Sequence, residues 1–114
     1  MEMKIAISAL SALAQETRLA AFRALVQAEP EGLAAGEIAA RLTVPPATLS
    51  FHLRELEQAG LVTARREGRQ IYYAADLSAM AVLLDFLLAD CCGGRPEICE
   101  AVGSALRLAS AEQE

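Results

Sequence analysis

The sequence predicts a mainly α-helical domain closed by a β-hairpin wing, in the order α-α-α-α-β-β-α. Three observations predict it. Leu49, Leu53 and Leu56 recur at four- and three-residue spacing, which sets them on one stripe of a helix facing a core. Leu61–Arg66 and Arg69–Ala74 read as two strands joined at Glu67–Gly68, supported by Val62, Ile71, Tyr72 and Tyr73. Apolar residues make up 54% of the 114-residue chain and aromatics only 4%, an Ala- and Leu-rich composition that favours helices and packs without Trp.

Taken in order, Met3–Ala14 is an Ala-rich helix with Ile5, Ile7, Leu10 and Leu13 spread widely around it, so it is expected to bury more than one face. Thr17–Ala28 is a second helix, with Leu19, Phe22, Leu25 and Val26 as its inward stripe. Pro30 and Gly32 break it, and a loop over Gly32–Gly36 leads to a short third helix, Glu37–Leu42. Thr43–Val44 then connects to a longer helix of about 46–59. Pro46 fits its first position, where a missing N–H costs nothing, and Gly60 fits the residue past its end.

A short helix, a tight turn and a longer helix form a helix-turn-helix, and the hairpin of about 61–74 supplies its wing. At about 100° per residue, Ala47, Phe51, Arg54 and Gln58 point away from the leucine stripe, flanked by Thr48 and Ser50. Such a face suits a major groove. Arg and Gln can bond base edges, Ser and Thr can bond bases or phosphates, and Phe can touch a thymine methyl. Arg65, Arg66 and Arg69 fall at the hairpin tip, where a wing would straddle a DNA backbone.

The net charge of −5 speaks against a polyanion partner only if it is evenly spread. It is not: residues 1–40 carry −2, residues 41–73 carry +2 and residues 74–114 carry −5. The one positive section is the helix and hairpin, so a focused contact with double-stranded DNA stands.

Leu77–Ala89 reads LSAMAVLLDFLLA, with Asp85 its one charge and Ser78 its one other polar group. A helix apolar all round must be covered on both sides. One side can pack on its own domain, and the other calls for a second copy, so a homodimer built on a helix of about 77–90 and on the first helix is expected. The domain plan is therefore 1–90 for DNA binding and dimerisation, followed by a tail of 91–114. No apolar run approaches the roughly 18 residues of a membrane span. Gln15, Glu16 and Arg18 follow the apolar start at once, so no membrane partner and a cytoplasmic location are expected.

Together these residues resemble the ArsR/SmtB family of winged helix-turn-helix repressors. The matching motifs are LAQETRLAAFRAL (Leu13–Leu25), EIAARLTVPPATLSFHLRELEQAGLV (Glu37–Val62) and REGRQIYY (Arg66–Tyr73). The resemblance implies a homodimer that sits on a palindromic operator and leaves when a metal or metalloid binds. It maps groove contacts onto Thr48, Ser50 and His52, and wing contacts onto Arg65, Arg66 and Arg69. His52, the one histidine, lies about 60° from the leucine stripe. That position favours a structural or phosphate-contacting role over metal ligation.

All three cysteines, Cys91, Cys92 and Cys99, fall in the segment CCGGRPEIC. In a reducing compartment that concentration reads as ligand or redox chemistry. An adjacent pair is too strained for a structural staple, while Gly93 and Gly94 let Cys99 fold back towards it. Three thiolates suit a soft three-coordinate ion, whereas tetrahedral Zn(II) wants a fourth ligand.

Within the resembled family this makes As(III) the leading inducer, with Sb(III) close behind. Cd(II), Pb(II), Bi(III), a methylated arsenical and a thiol redox switch are the alternatives. The chain departs from the family's best-known pattern, because its third helix reads EIAARLTV without cysteine. No base accompanies the thiols and no organic cofactor motif is present, so an enzyme is not expected.

Overall fold

The computed structural model describes residues 1–89, and its elements are α1 Met3–Leu13, α2 Glu16–Gln27, β1 Leu33–Ala34, α3 Ala35–Leu42, α4 Pro46–Gln58, β2 Val62–Glu67, β3 Gln70–Ala75 and α5 Leu77–Leu88. The chain divides into two compact units, Met1–Leu83 and Leu84–Glu114. Cys91, Cys92 and Cys99 lie outside the described residues. Among the described residues, no helix is long and apolar enough to cross a membrane.

Within the first unit, Leu25, Ile38, Leu49, Leu53, Leu56 and Leu61 are fully buried, joined by Phe22 and Val62. They come from α2, α3, α4 and the start of the hairpin, so one core fixes the angle between the helix-turn-helix and the wing. The leucine stripe of α4 is as the spacing predicts: Leu49, Leu53 and Leu56 are at most 1% exposed.

In a single copy α1 buries Ala6, Ala9 and Ala12, while Met3, Ile5, Ile7 and Leu10 are 41–64% exposed. Alanines at this spacing let α1 lie close against α2 and α4, and the larger side chains are turned outward by that approach. In α2 the inward face is Ala21, Phe22 and Leu25, with Leu19 45% exposed rather than inside.

The sheet has three strands rather than two, in the antiparallel order β1-β3-β2. The added strand lies in the expected loop: Leu33 pairs with Tyr73 and Ala34 with Tyr72. Gly32 makes the approach possible. Its φ is +79°, and a Cβ there would collide with the Tyr73 carbonyl oxygen. α3 accordingly starts at Ala35, directly after β1, and not at Glu37.

The hairpin strands run one residue later than the sequence reading, with Glu67 opposite Gln70 and Gly68–Arg69 as the two-residue loop. Gly68 has φ +63°, a conformation that such loops need and glycine supplies. Gly60, at φ +80°, ends α4 as expected, where Leu61 N–H bonds the Leu56 carbonyl at 3.1 Å. Asp76 N–H then bonds the Leu61 carbonyl at 2.8 Å, and its carboxylate accepts from Ala79 N–H at 3.0 Å to cap α5.

Candidate nucleic-acid interface

α3 and α4 are joined by a turn of three residues. Thr43 adopts the left-handed conformation (φ 55°, ψ 50°), and Val44 N–H closes on the Ala39 carbonyl at 3.1 Å. Pro45 and Pro46 follow, and Pro46 opens α4 with its ring pre-set for a helix. The buried stripe of α4 then leaves Ala47, Phe51, Arg54 and Gln58 exposed on the opposite side. Phe51 is 53% exposed, an apolar ring held out on a polar face. Arg54 makes no salt bridge among the described residues. Thr48 and Ser50 are exposed beside them, so α4 offers hydroxyls, a guanidinium, an amide and one aromatic ring to a ligand.

The two flanks of α4 are held differently. On one side stands the hairpin. Tyr73 of β3 is half-buried, and desolvation raises its phenol above the usual tyrosine range. The Glu57 carboxylate adds to that rise and Arg54 opposes it. On the other side stands α2. Arg18 donates from Nε to the Ala12 carbonyl at 2.6 Å, and its Nη1 lies 3.2 Å from Nδ1 of the half-buried His52. The Phe51 ring meets the His52 ring edge-on at 5.4 Å.

The wing arginines are not equivalent. Arg65 and Tyr72 are cross-strand partners on one face, with the guanidinium 5.0 Å from the ring centroid, and Arg65 Nε donates to Glu67 at 2.9 Å. Arg66 and Ile71 lie on the opposite face, the one that also carries Tyr73 and the buried pair Val62 and Ala75. Among the described residues Arg66 makes one long bond, 3.4 Å to the Gly68 carbonyl, and Arg69 sits exposed in the loop.

The structure thus brings Thr48, Ser50, Phe51, His52 and Arg54 together on one helix, and sets Arg65, Arg66 and Arg69 on the adjacent hairpin. Sequence reasoning missed Arg18, which no local signal places 34 residues away against His52. Among the described residues, no group of three His, Cys, Asp or Glu could hold a metal.

Comparisons with known proteins agree with this arrangement. The family described as a helix-turn-helix domain matches residues 13–65. The biofilm growth-associated repressor of Agrobacterium fabrum is 37% identical over 83 residues, covering 73% of this chain and 68% of that protein. The solved structure of HlyU from Vibrio cholerae, described as a transcriptional activator, superposes with a TM-score of 0.61 at 35% identity, covering 76% of this chain and 97% of that one. HlyU has also been solved in a form described as reduced. The homodimeric winged helix-turn-helix domain of Mb0332 from Mycobacterium bovis, a possible ArsR-family regulator, superposes with a TM-score of 0.61 at 30% identity, covering 77% of this chain and 82% of that one. Helix-turn-helix, wing and relatives lead to one conclusion: the chain belongs to the ArsR/SmtB family of winged helix-turn-helix, DNA-binding transcriptional regulators.

Proposed function

We propose that the chain is a homodimeric repressor that binds a palindromic operator and is released when As(III), or Sb(III), binds Cys91, Cys92 and Cys99. The observation that carries the DNA half is the exposed face of α4, with Phe51 and Arg54, which makes no salt bridge among the described residues, beside the arginines of the hairpin. Dimerisation is supported by the exposed Met3, Ile5, Ile7 and Leu10 on α1 and, within the same unit, by Leu77 and Val82 on α5. Side chains this large gain about 1.5–3 kcal/mol each when fully buried, so a second copy is the natural cover. The matched repressor and the homodimeric domain of Mb0332 fit the same reading.

Induction rests on the three thiols gathered immediately after the helix that ends at Leu88. Closing them on one soft ion would pull the tail against the end of that helix and so shift the spacing of two recognition helices. A coupling of about 1–3 kcal/mol is usual for allostery and lowers operator affinity roughly 5- to 150-fold. The test titrates reduced protein on its operator with arsenite, antimonite, cadmium and zinc. Arsenite should release wild type but not Cys91→Ser, Cys92→Ser or Cys99→Ser; a normal response in all three variants rules out the site.

A second reading keeps the repressor and makes the thiols a redox switch, supported by the relative solved in a reduced form. Here Cys99 joins Cys91 or Cys92, the two thiols giving up two electrons and two protons to a peroxide that leaves as water. Release by peroxide, with a thiol titre unchanged by arsenite, selects it.

A further inference from the structure

We propose that Arg18 is a positioning residue of the DNA-reading surface: it ties the end of α1 to α4 and holds His52 with its proton on Nε2, from where it donates to a DNA phosphate. The inference rests on the DNA reading of α4 but concerns a contact that exists without DNA.

Arginine has five donors and no acceptor, so the 3.2 Å contact between its Nη1 and His52 Nδ1 requires Nδ1 to accept. His52 is then the neutral tautomer that carries hydrogen on Nε2. Nε2 has no hydrogen bond within the described residues, and none of their buried side-chain nitrogens or oxygens is left without a partner, so Nε2 opens to solvent. The edge-on Phe51 ring at 5.4 Å restrains the imidazole from a second side. At about 100° per residue, His52 stands on the flank of α4 that also carries the exposed Thr48, one turn away. Flanking positions meet the sugar-phosphate backbone while the centre of the face meets bases, and a single N–H suits a phosphate oxygen.

Arg18 itself is held. Its backbone N–H is accepted by Gln15 Oε1 at 2.9 Å, and its Nε bonds the Ala12 carbonyl at 2.6 Å. Ala12 belongs to the buried face of α1, whose other face is the exposed apolar one. The guanidinium therefore connects α1 to a DNA-facing ring through two hydrogen bonds.

The chain has one histidine, so a long-range proton–nitrogen spectrum of uniformly labelled protein reports His52 alone. At about pH 8, where a free imidazole is neutral, wild type should show Nε2 protonated and an Nδ1 resonance that moves in Arg18→Gln. A proton on Nδ1, or identical spectra for the two proteins, overturns the clasp. On a DNA site selected by wild type, His52→Asn keeps an acceptor for Arg18 and removes the outward donor. It should fold as wild type and lose about tenfold or more in affinity, as hydrogen bonds to charged groups do. Arg18→Gln should weaken binding without lowering the salt slope, and the double variant should bind no worse than the weaker single variant. A slope smaller by about one makes Arg18 a direct phosphate contact and overturns its positioning role. Wild-type affinity in His52→Asn overturns the phosphate donor, whereas failure of wild type to select any DNA overturns the DNA reading beneath it and leaves the clasp to the spectra.

Discussion

Arg65 and Glu67, two residues apart on β2, are joined at 2.9 Å, and the same guanidinium lies over the Tyr72 ring. One of the three wing arginines is thus neutralised before any DNA arrives. Arg66→Ala and Arg69→Ala should weaken binding about equally on all sequences and reduce the salt slope by about one each. Arg65→Ala should cost less, and Glu67→Gln should tighten binding by freeing Arg65. Anisotropy titrations at several salt concentrations measure all four.

Phe51 projects from the middle of the outward face of α4, 53% exposed. If its ring meets a thymine methyl, replacing that thymine by deoxyuridine removes one buried methyl. That should cost wild type about 0.8 kcal/mol, or roughly fourfold. Phe51→Ala should bind both DNAs alike. Equal losses in the two proteins contradict the contact.

Gly32 is required twice, by its φ of +79° and by the Tyr73 carbonyl facing it. Gly32→Ala should destabilise by at least about 1–2 kcal/mol from the backbone alone, with the collision adding to it. Urea unfolding gives the value. By contrast, Gly36→Ala meets open space and should be well tolerated.

Tyr73 yields a pH dependence. Its folded pKa is raised, by desolvation first and Glu57 second, so the protonated phenol is the form the fold prefers. Its contribution is complete below the ordinary tyrosine value of about 10 and is lost as pH rises through the folded value. Unfolding free energy should therefore fall above about pH 10, and Tyr73→Phe should remove that part of the decline. The ring is only half-buried, so the effect is small.

How much of this was legible in the sequence follows from which interactions are local. α4 was readable in full, because Pro46, the leucine spacing and Gly60 are short-range signals that agree. β1 was not, because Leu33–Ala34 is too short for any period and forms only by pairing with Tyr72 and Tyr73. Which residues line the inward face of α1 was not legible, because large apolar residues usually mark the core, whereas here close helix approach selects Ala6, Ala9 and Ala12. The DNA-facing residues were legible as a helical face. The Arg18–His52 contact and the pairing of Arg65 with Glu67 and Tyr72 depend on side-chain placement across elements, which spacing alone does not carry.

In the proposed dimer, two copies of the surface from Pro45 to Tyr73 read one operator. Selection from a random DNA pool, followed by hydroxyl-radical footprinting of the enriched site, tests it most directly. The expected result is an inverted repeat protected in two half-sites one helical turn, about 34–36 Å, or a multiple of it apart. Arg54→Ala should relax the preference at one position in each half-site. A pool with no enriched sequence, or a footprint of a single half-site without two-fold symmetry, would contradict it.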